Sequence, residues 1–199
     1  QEVIGLALTR LALEKQGRLM GKVLIPVDSH LNLFYQTPKD LENGELSLKR
    51  TDLLLVELKD RKLHVDLIEV KNRSYTSPAD QVALQTAIQE KNVNTEKHFR
   101  ANFLGSKENK RFDADIKNKE LANILMFYYE RACRYGQFAT DECDASLQNI
   151  PSTKNFAKGL EAVIAGNCDI TFGHEGFIIN GSAAYGIENL SEKQKAGTI

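Results

Sequence analysis

Asp52, Glu69 and Lys71 are the residues of this chain whose types and spacing could do chemistry. Asp52 lies near the start of the apolar run TDLLLVEL, residues 51–58, while Glu69 and Lys71 close a second run, KLHVDLIEVK, residues 62–71. Two carboxylates held side by side repel each other, and partial burial raises the cost. A divalent cation removes that cost. Mg²⁺ takes oxygen ligands and needs only one or two carboxylates, with water and substrate phosphate completing its shell. A lysine ammonium next to such a centre can help deprotonate an attacking water or stabilise charge developing on a phosphate. The chemistry this predicts is phosphodiester hydrolysis, with Asp52 and Glu69 binding Mg²⁺, or Mn²⁺ in its place, and Lys71 assisting the water.

The elements that must position these groups are two strands and their turn. Both runs are rich in Leu, Val and Ile and read as strands. A hairpin symmetric about Asp60 and Arg61 places Asp52 opposite Glu69. It also pairs Leu54 with Leu67, Val56 with Val65 and Leu58 with Leu63, so apolar residues match along one face. Side chains alternate with period two, so Lys71 shares the face of Glu69, one step further along.

An Asp followed one hairpin later by Glu-x-Lys on an apolar strand resembles the signature of the PD-(D/E)XK nuclease superfamily, with RecB-like and Mrr-like branches nearest in pattern. The resemblance covers residues 1–100. It implies that Asp52 and Glu69 are metal ligands, that Lys71 is the catalytic lysine and that the backbone carbonyl of Val70 is a further ligand. One departure is the absence of Pro before Asp52, where the sequence has Arg50-Thr51. Related branches carry a glutamine near the active site on the following helix. Here Ser77-Pro78-Ala79-Asp80 predicts a helix start, with Ser as cap and Pro in the first turn. Gln81, Leu84, Gln85 and Ile88 then share one stripe, and Gln81 is preferred over Gln85 as the matching residue. Glu2, on the first helix, corresponds to a glutamate that some members place at the metal.

The implied fold is α/β: a restriction endonuclease-like core of mixed sheet and flanking helices in α-β-β-β-α-β order, followed by a C-terminal helical and hairpin elaboration. Val3 to Leu13 read as an apolar helix ending near Gly17, and strands are expected over 22–27 and 31–35. The core spans 1–104. The elaboration, 105–199, holds helices over 117–135 and 155–165 and a hairpin over 168–180 turning at residues 173–176.

At 199 residues and 42% hydrophobic, the chain can bury one substantial core. Its net charge of −1 lacks the overall basic excess of many nucleic-acid proteins. A local basic rim of Lys49, Arg50, Arg73, Lys97 and Arg100 is expected to meet the DNA. The three cysteines and four histidines show no metal-binding spacing and read as structural. With no run of about twenty apolar residues and no signal peptide, the chain is expected in the cytoplasm, away from membranes. It begins without Met inside an apolar helix and stops at Gly197-Thr198-Ile199. It therefore reads as part of a larger DNA repair, restriction or defence protein, fused to or associated with a helicase or ATPase. The alternative function is a catalytically inactive nuclease-fold module for nucleic-acid binding or assembly.

Overall fold

The structure is a computed structural model that describes residues 2–34, 50–72, 78–103, 112–139, 153–180 and 186–189. Within these residues the chain forms an α/β fold around a mixed five-stranded sheet in the order β1-β2-β3-β4-β5. Helix α1 (Glu2–Lys15) leads into β1 (Lys22–Pro26), a 3-10 helix (Val27–Leu33), β2 (Leu53–Lys59) and β3 (Lys62–Asn72). There follow α2 (Pro78–Asn102), α3 (Ala114–Arg134), α4 (Thr153–Ile164), β4 (Asp169–Asn180) and β5 (Gly186–Asn189). β1, β2 and β3 are antiparallel neighbours, and β4 runs parallel to β3.

The β2–β3 register is the one the apolar pattern demands. Leu54 faces Leu67, Val56 faces Val65 and Leu58 faces Leu63. These six side chains join Val23, Ile25, Phe99, Phe103, Leu121, Leu125 and Phe156 in the larger core. Burying one such side chain is worth about 1.5–3 kcal/mol, and a slip by one residue would instead turn His64 and Asp66 into that core. The hairpin turn is closed by Asp60 at φ 55, a left-handed conformation that Asp tolerates better than most residues.

The opposite face of the sheet carries α1. Gly5, Thr9 and Leu13, four residues apart, are its buried positions, and Leu13 packs with Leu19, Leu53, Leu55, Ile68 and Phe177. A methyl at Gly5 would sit 3.3 Å from Val70 Cγ1, so the missing side chain sets how closely α1 lies on β3. The rest of this face is polar. Asp66 is ringed by Arg18, Lys22 and His64, and Arg18 also pairs with Glu175. Opposed residues Glu57 and His64 fall here, away from Lys71, as the register requires.

Two expected elements are corrected. The segment expected as a strand over 31–35 is, as far as Phe34, the end of the 3-10 helix and its cap; Tyr35 lies outside the described residues. Its carbonyls meet helix side chains rather than a strand: Asn102 Nδ2 donates to Leu33 O at 2.9 Å and Lys117 Nζ to Asn32 O at 2.9 Å. The hairpin expected over 168–180 is one continuous strand, β4, with Gly173 and Gly176 inside it. Gly173 stands opposite Asp66, and a Cβ there would lie 2.2 Å from Asp66 Oδ1. The glycine makes room for a neighbouring carboxylate instead of turning the chain. β4 thereby completes the sheet beside β3, so residues beyond 104 build part of the scaffold around Glu69.

Candidate active site

The hairpin brings the two carboxylates together. One step beyond the Leu53–Ile68 pair, the Asp52 N–H donates to Ile68 O at 3.1 Å, and the Val70 N–H donates to Asp52 Oδ2 at 2.6 Å. Asp52 is thus held by backbone on both sides. Glu69 is fully buried, and Lys71 Nζ forms an ion pair with its Oε1.

A fourth group completes the cluster. Lys91 Nζ donates to the same Glu69 Oε1 at 2.6 Å. Sequence reasoning missed it, because it singled out the start of α2 and not its third and fourth turns. The signal was present: beyond Ile88 the stripe continues through Asn92, Thr95 and Phe99, all buried. Two of these fasten the helix at the site. Thr95 Oγ1 accepts from the Thr51 N–H at 2.9 Å and donates to Lys91 O at 2.8 Å, while Asn92 Nδ2 donates to Glu175 O at 2.9 Å. Thr51 precedes Asp52 and Glu175 lies on β4, so these bonds fix the turn that presents Lys91.

The electrostatics follow from burial. Desolvation and the neighbouring charge of Glu69 push the Asp52 carboxyl up to about 6, against the partial relief supplied by the Val70 N–H, Lys91 and Lys71. For Lys91, burial works against its charge, but the hydrogen bond and charge of Glu69 outweigh it, so its pKa rises. Glu69 Oε2 is buried and, among the described residues, has no hydrogen-bond partner. An orphaned buried acceptor costs about 1–3 kcal/mol, more when charged. Both lysines gather on Oε1, and the free oxygen belongs to the carboxylate whose charge destabilises the ionised form of Asp52.

That donor set fits a hard cation through two carboxylates, with solvent and substrate supplying the remaining oxygens. Among the described residues there is no group of three or more His, Cys, Asp and Glu that could hold a metal ion by itself. The Val70 group that touches the cluster is its amide, which donates to Asp52.

The remaining expected residues divide by place. Gln81 and Gln85 are half-buried on α2, where Leu84 and Ile88 pack on Ile178 of β4. At 1.5 Å of rise per residue, Gln81 begins about 15 Å along the helix from Lys91 and Gln85 about 9 Å. The hydrogen bonds and ion pairs of Glu69 and Asp52 run to Lys71, Lys91 and backbone. Arg50 is engaged by Asp28 at 2.6 Å, and Arg100 pairs with Glu96 at 2.7 Å while lying over the Phe172 ring. Lys97 is exposed. Lys49, Arg73, Ser77 and the Glu2 side chain lie outside the described residues.

Three of the four histidines have structural partners: His30 with Tyr128, His64 with Asp66 and Thr171, and His174 with Glu96. Cys133 and Cys168 are free thiols, and burial pushes Cys168 up to about 11, which leaves it protonated and unreactive at neutral pH. Among the described residues no helix is long and apolar enough to cross a membrane.

Comparison with protein-family models, with curated proteins and with solved structures gave no match for this chain.

Proposed function

We propose that this chain is a metal-dependent nuclease domain that hydrolyses phosphodiester bonds of DNA. Asp52 and Glu69 hold Mg²⁺, and Lys71 assists the attacking water. The observation that carries the reading is Glu69 Oε2, a buried carboxylate oxygen without a partner among the described residues, beside Asp52, which burial and then the charge of Glu69 push up to about 6. A cation at that oxygen would relieve both penalties at once. The order α1, β1, β2, β3, α2 and then β4 parallel to β3 supports a restriction endonuclease-like core, with α3 and α4 inserted before the last of these strands.

Mg²⁺ would supply positive charge to the phosphate oxygens and make an adjacent water more acidic. The chain's own residues set the geometry around it. The Val70 N–H holds Asp52 Oδ2, which fixes the carboxylate's orientation. Lys71 and Lys91 share Glu69 Oε1, so Lys91 can keep Glu69 in place while Lys71 turns its ammonium toward the water or a phosphate oxygen.

The second reading is a catalytically inactive module on the same scaffold, and one observation favours it. Lys71 and Lys91 already match the two carboxylates charge for charge, as a self-contained ion-pair network would.

Incubating supercoiled plasmid and end-labelled single and double strands with Mg²⁺, Mn²⁺ or chelator separates the two. Metal-dependent cutting supports the nuclease, whereas folded protein that leaves every substrate intact supports the inactive module.

A further inference from the structure

A cavity lies at the open edge of the sheet, along β1. It encloses about 230 Å³ and is lined by Arg10 of α1, Leu24 and Pro26 of β1, and Tyr128, Arg131 and Tyr135 at the end of α3. That volume falls below the roughly 300–1,000 Å³ of a pocket for a drug-sized ligand, so it suits one base or one sugar-phosphate rather than a whole cofactor.

Its charge and ring content are specific. Arg10 and Arg131 both line it, and among the described residues neither has a carboxylate within ion-pair distance. Arg10 lies over the Tyr135 ring at 4.8 Å, and Arg131 lies over Phe127 at 5.7 Å. Tyr128 is held by a 3.0 Å hydrogen bond to His30. Tyr135 and Phe127 are exposed. Two arginines with no carboxylate partner among the described residues call for an anion, and rings with guanidinium groups over them call for a flat partner.

The cavity is also tied to the carboxylate pair. Pro26, in its wall, precedes Val27, whose N–H donates to Asp52 O at 3.0 Å. β1 and β2 are adjacent strands, about 4.8 Å apart.

We infer that this cavity holds the base of one unpaired nucleotide of a single-stranded substrate, stacked against the tyrosine and arginine side chains, with the phosphate at its mouth between Arg10 and Arg131. The inference rests on the phosphodiesterase reading for the polymer's identity and adds strandedness to it, because a base within a duplex has no free face to stack on a side chain.

The test is binding of a fluorescently labelled oligothymidylate, and of a duplex of equal length, in chelator so that no cleavage intervenes. Wild type is compared with Arg10→Gln/Arg131→Gln and with Tyr135→Ala, and thermal melting verifies the fold of each. The double variant is expected to bind the single strand at least tenfold more weakly, with a salt dependence shallower by about 0.7 in log–log slope, as loss of the one neutralised phosphate requires. Tyr135→Ala is expected to lose about fivefold or more on the single strand and nothing on the duplex. Tyr135→Phe, which keeps the ring, restores binding. Equal single-strand affinity in wild type and the folded variants overturns the inference, even if the protein cuts DNA. Absence of metal-dependent cutting alongside lost oligonucleotide binding in the variants overturns the catalytic reading and leaves this cavity standing.

Discussion

Lys91 of α2 donates to Glu69 of β3 across 2.6 Å, on the carboxylate oxygen that Lys71 also occupies. The pairing joins a helix to the strand end that bears the sequence motif, and it leaves the second Glu69 oxygen without a partner among the described residues. The consequences for stability, metal binding and catalysis can each be measured.

Asp52→Asn is expected to stabilise the protein at neutral pH in the absence of metal. A carboxyl whose pKa rises on folding, here from 3.8 to about 6, is favoured in the folded state below 3.8. That advantage is lost as pH climbs through about 6. The asparagine mimics the protonated form, so its gain is absent near pH 4 and reaches about 1–3 kcal/mol above pH 7. Thermal melting across that range checks the sign; a variant less stable than wild type at every pH would contradict the burial argument.

Mg²⁺ is expected to raise the melting temperature of wild type above pH 6 and to lose that effect as Asp52 protonates. Glu69→Gln removes the response at all pH values. Melting with and without Mg²⁺, and calorimetric titration of the metal, read this out without any nucleic acid present.

Lys91→Ala is expected to lower cleavage far more than Gln81→Ala. Lys91 touches Glu69, whereas Gln81 begins about 15 Å up the same helix. A loss of roughly 10²-fold or more against a change of under about threefold is the anticipated contrast, in line with removal of a charged group at a catalytic centre. Equal effects of the two substitutions would return the role to the glutamine.

Gly173→Ala and Gly159→Ala probe the scaffold rather than the chemistry. A Cβ at Gly173 meets Asp66 Oδ1 at 2.2 Å, and one at Gly159 meets Leu58 Cγ at 2.5 Å, where α4 lies on β2. Each is expected to cost about 1–3 kcal/mol in chemical denaturation, the usual range for overpacking. Unchanged stability would mean that the strand or helix shifts freely.

Much of this arrangement was legible in the residues. The matched apolar positions of the hairpin fixed its register, and with it the meeting of Asp52 and Glu69 and the face of Lys71. Pro78 marked the start of α2, and the periodicity of residues 117–135 anticipated α3 to within a few residues. What escaped depends on contacts distant in sequence. Lys91 reaches Glu69 because Thr95 and Asn92 bind backbone groups of Thr51 and Glu175, a relation no local pattern contains. Gly173 looked like a turn residue, yet its role is set by Asp66 on the adjacent strand. The segment 31–34 has apolar residues enough for a strand, but its carbonyls are taken by Asn102 and by Lys117.

Single-turnover cleavage of end-labelled DNA in Mg²⁺, by wild type and by Lys71→Ala of verified fold, tests the assignment of the site most directly. Wild type is expected to cut and to stop on chelation, with Lys71→Ala slower by about 10²–10⁴-fold. Cutting at the wild-type rate by Lys71→Ala would contradict the assignment and place the chemistry elsewhere in the chain.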